Sequence, residues 1–512
     1  VFQWLRELVG WGGASRSIAS AEARAALAET RLRTARLNAI LARYDNALVT
    51  DENRRSWWAA DYLSAKSANS FQVRRLLRMR SRYEVSNNPY LFGVCNSNAD
   101  DLVDTGPTLQ VLTESARYNR AVESAWMSWA AEVGLVEKLR TCKLAKSVDG
   151  EGFLVLKTVE DLEHPVKLYP VDVEADQVTT PAPANLAELW VDGLTLHPVT
   201  GRPTSYHVLK HHPGDFFFPG LNPLEVQTIP ARYVIHWFSK FRPGQVRGVP
   251  VFTSSLDLFT ELRAYRRAVV GAAEIAADFA AVIEQTASVG AGGDADDEDA
   301  EIEAFKRVPI DRKMMTALPV GAKMNQFKPE HPTTTYEMFQ EKCLAEAIRP
   351  LAYPLNLALG TSQKFNFSSA KLDHINYRQA LSVERDECDR VALARIYAAW
   401  YPEAVLSGAI DPYDGLALPP HEWHWPGFES LDPLVDAQTD AARLAGGTLT
   451  WREFWGRRGY DWRDVLRQQE AEAKELSRLG LAFGDVVKRS ITVTGDEDDE
   501  ADAAALTEAS HA

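Results

Sequence analysis

The chain has 512 residues, 46% hydrophobic and 25% charged, with 71 acidic against 56 basic side chains and a formal net charge of -15. This is ordinary globular usage in a chain too long for one growing core, so several domains or segments are expected, and disordered, collagen-like and membrane classes are excluded. The acid excess argues against generic phosphate binding, which rests on counterion release by Lys and Arg; acid-lined surfaces repel a polyanion instead.

The first residues, VFQWLRELVG, lack the basic start and cleavage site of a secretory signal, and the missing initiator Met predicts a trimmed or processed start. Ser15 to Tyr44, rich in Ala, Leu, Arg and Glu without Pro or Gly, predicts a long amphipathic helix in an N-terminal arm. Helices continue from Phe71 to Thr141, broken at Asn87-Asn88-Pro89 and Thr105-Gly106-Pro107. From Phe153 to Phe238 short runs such as FLVLKTV, VKLYPV and YVIHWF between Pro, Gly and Asp predict a β-rich section. The fold class is therefore α+β.

Arg242 to Pro250, RPGQVRGVP, is a turn-rich loop, and Ser254-Ser255-Leu256-Asp257 opens a helix to Ile283, roughly 40 Å long. Leu262, Tyr265, Val269, Ala272, Ala276, Phe279 and Ile283 share one stripe, with Arg263, Arg267, Glu274 and Asp278 on another face. Basic residues in its first half and acids in its second oppose the helix macrodipole, so these charges are expected to answer to neighbours or a lumen.

Ser288 to Glu303 is an acidic, Gly-containing insert expected as an exposed loop, and Pro309 to Pro332 reads as short strands and turns. A second helix runs from Thr334 to Ile348, Leu351 to Phe367 is a loop, and Ser368 is expected to cap a long helix to about Trp400. Helices return from Asp432 to Leu479 before an acidic tail.

Enzyme signatures are missing: no GxxxxGK[ST] loop, no GxGxxG between strand and helix, no GxSxG elbow. His421-Glu422-Trp423-His424 spaces its histidines at i and i+3 among prolines, which predicts a packed aromatic-histidine loop rather than a zinc helix, and His211-His212 reads as a surface turn. Asp294 to Glu303 lacks the ligand spacing of a calcium loop, and Trp57, Trp58, Trp423 and Trp425 suit core or interface better than base stacking. Cys95, Cys142, Cys343 and Cys388 show no paired spacing and read as reduced core thiols, implying intracellular folding. The nearest approach to a membrane span, Ala268 to Ile283, is broken by Glu274 and Asp278. No cofactor or metal is called for.

RPGQVRGVPVF, Arg242 to Phe252, closely resembles the signature of the lambda-like phage portal family. RSRYEVSNNPY (Arg80 to Tyr90), ALPVGAKMNQFKPEHPTTTYEMF (Ala317 to Phe339), NFSSAK (Asn366 to Lys371) and Asp432 to Glu472 are similar to further family elements in the same order, over roughly residues 40 to 480. Lys371 stands where the family usually has Arg, and the acidic insert has no match. The resemblance implies a non-enzymatic, portal-type subunit with wing, stem, clip and crown regions, assembling into a ring that is typically of twelve copies. It divides the chain into an N-terminal helical arm (1–66), wing (67–255), first stem helix (256–284), clip with acidic insert (285–333) and second stem helix (334–350). A tunnel loop (351–367), the wing's long helix (368–415), crown helices (416–490) and an acidic tail (491–512) follow.

The resemblance also implies partners: double-stranded DNA in the channel, the terminase large subunit, a head-completion or adaptor protein and the major capsid protein, in a virion assembled in the host cytoplasm. Channel candidates are Lys364, Gln363, Asn356, Glu274 and Asp278; subunit-interface candidates are Arg263, Arg267, Tyr265 and Phe279; terminase- or adaptor-facing candidates are Asp296, Asp297, Glu298 and Asp299. The rival readings are a DNA-processing or motor enzyme of the packaging machinery, which the missing motifs disfavour, and a coiled-coil scaffold, which the β-rich middle disfavours.

Overall fold

The computed structural model describes residues 25–33, 53–180, 190–215, 225–278, 282–285, 322–325, 333–414, 417–428 and 432–480. The chain divides into two units, Val1–Ser64 and Ala65–Ala512. In the first, residues 25–33 are helical and exposed, and Asn53–Ser56 forms one helical turn; the rest of the helix expected over Ser15 to Tyr44 lies outside the described residues.

The second unit begins with α1 (Phe71–Asn87) and α2 (Pro89–Val103), separated by Asn88, whose side chain accepts from the amides of Tyr90 and Leu91 while Pro89 takes the first helical position. Strand β1 (Thr108–Val111) leads to α3 (Ala116–Glu132) and α4 (Leu135–Val148). Leu91, Val94, Cys95, Leu102, Trp126, Trp129 and Leu139 from these helices close the main core with Tyr397, Trp400 and Tyr401. Trp126 sits at its centre, with ring centroids 5.0 Å from Trp129, 5.2 Å from Trp400 and 5.2 Å from Trp423.

Two small sheets follow. β2 (Gly152–Thr158) pairs antiparallel with β3 (Leu168–Val173) on one side and with β8 (Val234–Trp237) on the other. Side chains alternate across a strand, so Leu154 and Leu156 of β2 face the helical core while Phe153 and Val155 face a second core. That second core is shared with the sheet β4 (Trp190–Val191), β5 (Leu194–Leu196), β6 (Pro203–Leu209) and β7 (Val226–Pro230), ordered as in the sequence. Burial on both faces explains why FLVL is a continuous apolar run.

Within the described residues helix α5 runs Leu256–Asp278, and Val282–Gln285, of which Val282 and Ile283 were expected in that helix, is strand β9, paired with β10 (Ala322–Asn325). Helix α6 (Thr333–Ala347) returns alongside α5. The segment expected as a loop from Leu351 to Phe367 contains a short helix, α7 (Leu355–Leu359), closed by Gly360 in the left-handed conformation at φ 66°. Tyr353 and Asn356 are buried there, so the first half of that segment packs rather than projects.

The long helix comes in three parts: α8 (Phe367–Cys388), a π-helical stretch at Asp389–Leu393, and α9 (Ala394–Leu406), which carries Pro402 inside it. Its cap is Asn366, whose side chain accepts from the Ser368 amide, rather than Ser368 itself. His421–His424, expected as a loop, is strand β11, paired antiparallel with β1 so that Leu109 faces Trp423. Three amphipathic helices end the described chain: α10 (Pro433–Ala445), α11 (Trp451–Gly456) and α12 (Trp462–Arg478), capped by Asp432, Thr450 and Asp461. Among the described residues no helix is long and apolar enough to cross a membrane.

The Trp129 indole donates Nε1–H to the Leu168 carbonyl at 2.9 Å, tying α3 to β3 inside the core. Trp129→Phe keeps most of the ring but strips that donor, and chemical denaturation should read a loss of about 1–3 kcal/mol; an unchanged unfolding midpoint would refute the tie.

Candidate functional site

Four of the charged residues of α1, Arg74, Arg78, Arg82 and Glu84, fall near one face of the helix, and that face turns inward, leaving Arg75 and Arg80 exposed. It meets Glu151, placed by the turn between α4 and β2 and fully buried. Glu151 accepts from Arg78, from Arg247 Nε at 3.0 and 2.9 Å and Nη2 at 2.6 Å, and from the Gly248 amide at 2.9 Å. His236 Nε2 lies 3.0 Å away on β8. Arg247 spends its remaining donors on the carbonyls of Val178, Asp192 and Ala175. The loop Arg242 to Pro250 is thereby clamped onto the α4–β2 turn.

Backbone contact completes the clamp. A Cβ on Gly248 would overlap the Gly150 carbonyl, and one on Gly150, at φ 89°, would overlap the backbone of Val249 and Pro250. Only glycine fits at this closeness of approach. Gln245 closes the loop on itself, accepting from the amides of Phe241 and Arg242 and donating to the Arg247 carbonyl at 2.8 Å.

Burial by itself pushes the Glu151 carboxyl up, but Arg247, the His236 hydrogen bond and Arg78 outweigh it and hold the group well below the usual carboxylate range. Burial pushes His236 down to about 4 against the pull of Glu151, so near neutral pH the ring is neutral and donates Nε2–H to the carboxylate. Beside the clamp, Lys66, Asn69, Arg74, Thr180, Asp192 and Arg247 border a cavity of about 460 Å³.

A neighbouring group brings Glu174, Asp176 and His212 together. Here the Gly214 amide donates to His212 Nδ1 at 3.0 Å, so the neutral ring carries its proton on Nε2, 3.4 Å from Glu174 and 3.8 Å from Asp176. Both carboxylates already hold Arg82, and Asp176 also holds Arg78 at 2.8 Å. The trio thus extends the ionic network.

The residues singled out from sequence are scattered. Lys364 is exposed and pairs with Glu337 and, at 3.2 Å, with Glu341, both on α6. Gln363 is exposed beside it, whereas Asn356, expected in a channel, is buried with its side chain 3.2 Å from His374. Arg263, expected to reach a neighbouring subunit, is taken by Glu84 of its own chain at 2.6 Å and lies over the Tyr83 ring. Tyr265 stacks between α5 and α6, with centroids 5.8 Å from Tyr336 and 4.6 Å from Phe339. Arg267 and Glu274 are exposed on α5, and Asp278 is its last residue. Phe279, Asp296, Asp297, Glu298 and Asp299 lie outside the described residues.

Sequence reasoning missed the Glu151 clamp. One signal was available: Arg74, Arg78, Ser81 and Glu84 recur at helical spacing, with Leu76, Met79 and Tyr83 opposite, so either the polar or the apolar stripe had to face inward.

Residues 51–385 match the family described as phage portal protein, lambda family. A probable portal protein of Halomonas phage phiHAP-1 is 27% identical over 308 residues, covering 59% of this chain and 58% of that relative, so the match spans a little over half the relative's length. Among solved structures, a chain from the neck of an empty GTA particle aligns over 79% of this chain and 93% of its own, at 13% identity and a TM-score of 0.42. An HK97 family phage portal protein from Corynebacterium diphtheriae aligns over 68% and 96%, at 13% identity and a TM-score of 0.26.

Removing one partner from a buried ion cluster leaves an uncompensated charge, so Arg247→Met should cost about 3–5 kcal/mol in urea unfolding; a loss below the error of the measurement would contradict the clamp. The pH dependence of His236 has a definite sign. Because its folded value lies near 4 and its ordinary value is 6.5, the unfolded chain binds the extra proton between them, and stability falls as pH drops through that window. The advantage of the wild type over His236→Gln should therefore shrink between pH 6.5 and 4, by on the order of 3 kcal/mol. Asp389, raised to about 7 by burial, acts with the opposite sign but is common to both proteins and cancels in the difference. A gap independent of pH would show that His236 is not buried as the neutral donor.

Proposed function

The chain belongs to the lambda family of phage portal proteins, and on that premise we propose that it is the structural subunit of a ring through which double-stranded DNA is packaged into a capsid and later ejected. The observation that carries this reading is the family match across residues 51–385, which takes in the clamped Arg242 to Pro250 loop, both helices α5 and α6, and α8 as far as Arg385. In this reading twelve copies stand at one vertex of the virion, seated in the major capsid protein after assembly in the host cytoplasm. The segment between α5 and α6, including Asp296 to Asp299, receives the terminase large subunit during packaging and a head-completion or adaptor protein afterwards.

A conduit has to let a polyanion slide. The chain's net charge of -15, repeated around a ring, supplies long-range repulsion rather than grip. Glu274 and Asp278 near the end of α5, with Gln363 and Lys364 after α7, are the residues we assign to the channel wall. Hydrolysis of nucleotide belongs, in this reading, to a separate motor chain.

Electron cryo-microscopy of the purified full chain should show rings with a central hole, and uniformly monomeric particles at every concentration would overturn the proposal. Those rings should bind linear duplex DNA at physiological salt no more tightly than about micromolar, without sequence preference. Submicromolar affinity would contradict the sliding surface while leaving the ring in place.

A further inference from the structure

Helix α1 is amphipathic in the reverse sense. Arg74, Arg78, Ser81 and Glu84 are buried; Arg74 is held by Asp192, Arg78 by Glu151 with Asp176, and Glu84 by Arg263 and Thr260. Leu76, Met79 and Tyr83, at i, i+3 and i+7, form the opposite stripe and are 47–59% exposed, with Val73 and Phe71 exposed nearby. The helix cannot roll to bury this stripe, because doing so would pull Arg78 from Glu151.

A second apolar stripe lies on α8. Tyr377, Leu381, Arg385 and Cys388 face inward, leaving Leu372, Ile375 and Val383 outward and 48–65% exposed. This helix is also fixed by buried contacts, since Arg385 donates to the last carbonyls of α2 at Asp101 and Leu102 and Glu384 holds Lys143 and Lys146. Both α1 and α8 pack on α2, so the two stripes belong to different helices joined through a common buried one.

The exposed charges of the two helices are of opposite sign. On α1 they are Arg75 and Arg80, which flank the apolar stripe; on α8 they are Asp373 and Asp386, the latter also pairing with Arg390 at 3.1 Å. Pairing α1 with a second α1 would set arginines against arginines, and pairing α8 with α8 would set acids against acids. Pairing α1 with α8 matches both charge and apolar surface.

We infer that the occupant of the α1 stripe is a second copy of this chain, presenting its α8 stripe: Leu76 and Met79 of one subunit meet Leu372, Ile375 and Val383 of the next, with Arg75 and Arg80 directed at Asp373 and Asp386. This inference rests on the ring reading and deepens it by naming the two faces that join. A contact between non-equivalent faces is head-to-tail, and head-to-tail contacts close into rings when the rotation allows.

The test uses the full chain with one cysteine added, Leu76→Cys in a short-tagged version and Ile375→Cys in a long-tagged version, the unsubstituted chain controlling for its own four thiols. The two are mixed, assembled, and joined with a short bis-maleimide. A cross-linked species of mixed size, absent when either variant is treated alone, is the expected result, and a chain carrying both substitutions should give a ladder of multimers. As a second measurement, Arg75→Glu with Arg80→Glu should lower the fraction assembled several-fold, and adding Asp373→Lys with Asp386→Lys should restore part of it.

Rings that assemble but give no mixed species from Leu76 or Met79 to Leu372, Ile375 or Val383, each replaced by Cys in turn, would overturn the interface and leave the ring standing. Same-residue dimers as the main product would overturn it in favour of a two-fold contact, and a mixed product between Leu76→Cys and a chain carrying Leu32→Cys would assign the stripe to the N-terminal arm instead. Particle images of the unsubstituted chain without rings would remove the ring reading and the interface together.

Discussion

A carboxylate taken wholly out of water is stable only among cations and donors that replace its hydration, and Glu151 has Arg78, Arg247, neutral His236 and the Gly248 amide around it. These four partners come from three separate parts of the sequence: α1, the Arg242 to Pro250 loop, which supplies two of them, and β8. The desolvation cost makes the arrangement all-or-none, since loss of one arginine strands the rest of the charge. Through this one carboxylate the rotation of α1, the path of the loop and the edge of the β3-β2-β8 sheet are set together.

A second ionic centre does the same for the long helix. Lys143 and Lys146 of α4 hold Glu384 at 2.7 and 2.8 Å, Lys146 holds Glu387 at 2.6 Å, and the Trp237 indole donates to Glu387 at 3.1 Å with the Lys146 ammonium over its ring. Burial pushes the Glu384 carboxyl up, and the two lysines more than reverse this, bringing it to about 2. Arg385, one residue on, satisfies carbonyls that α2 leaves open at its C-terminus. The two centres force polar faces inward on α1 and, in part, on α8, and the apolar side chains left outside are the consequence. A buried ion pair of this kind fixes orientation more surely than it adds net stability, because its desolvation cost offsets much of the attraction.

Local features of the fold were legible in the sequence because their causes are local. The Asn87-Asn88-Pro89 break, the strand run FLVLKTV and the capped helices after Asp432 all stand where propensity and turn chemistry put them. What escaped were partners distant along the chain: Glu151 and Arg247 are 96 residues apart, and Lys143 and Glu384 are 241 apart. Strand β11 was misread because prolines around His421 to His424 signal a loop, while its pairing with β1 is a tertiary fact. Of the α5 charges expected to answer to neighbours or a lumen, Arg263 is met by Glu84 of its own chain, since a helix pattern shows that a charge needs a partner but not which one.

The same lesson bears on Lys364. Taken alone in the sequence, it is the one formal charge between Leu351 and Phe367, and a belt of such lysines would attract phosphate. In the fold its ammonium lies between Glu337 and Glu341, whose hydrogen bonds raise its pKa and keep it charged. The trio therefore carries one net negative charge, and a passing phosphate would have to displace two carboxylates to reach the lysine. All three groups face water, where such contacts exchange readily and weaken with salt. In the proposed channel such trios would leave contact with DNA transient because the cation is already answered by its own chain, and this local neutralisation works in the same direction as the acidic balance of the whole molecule.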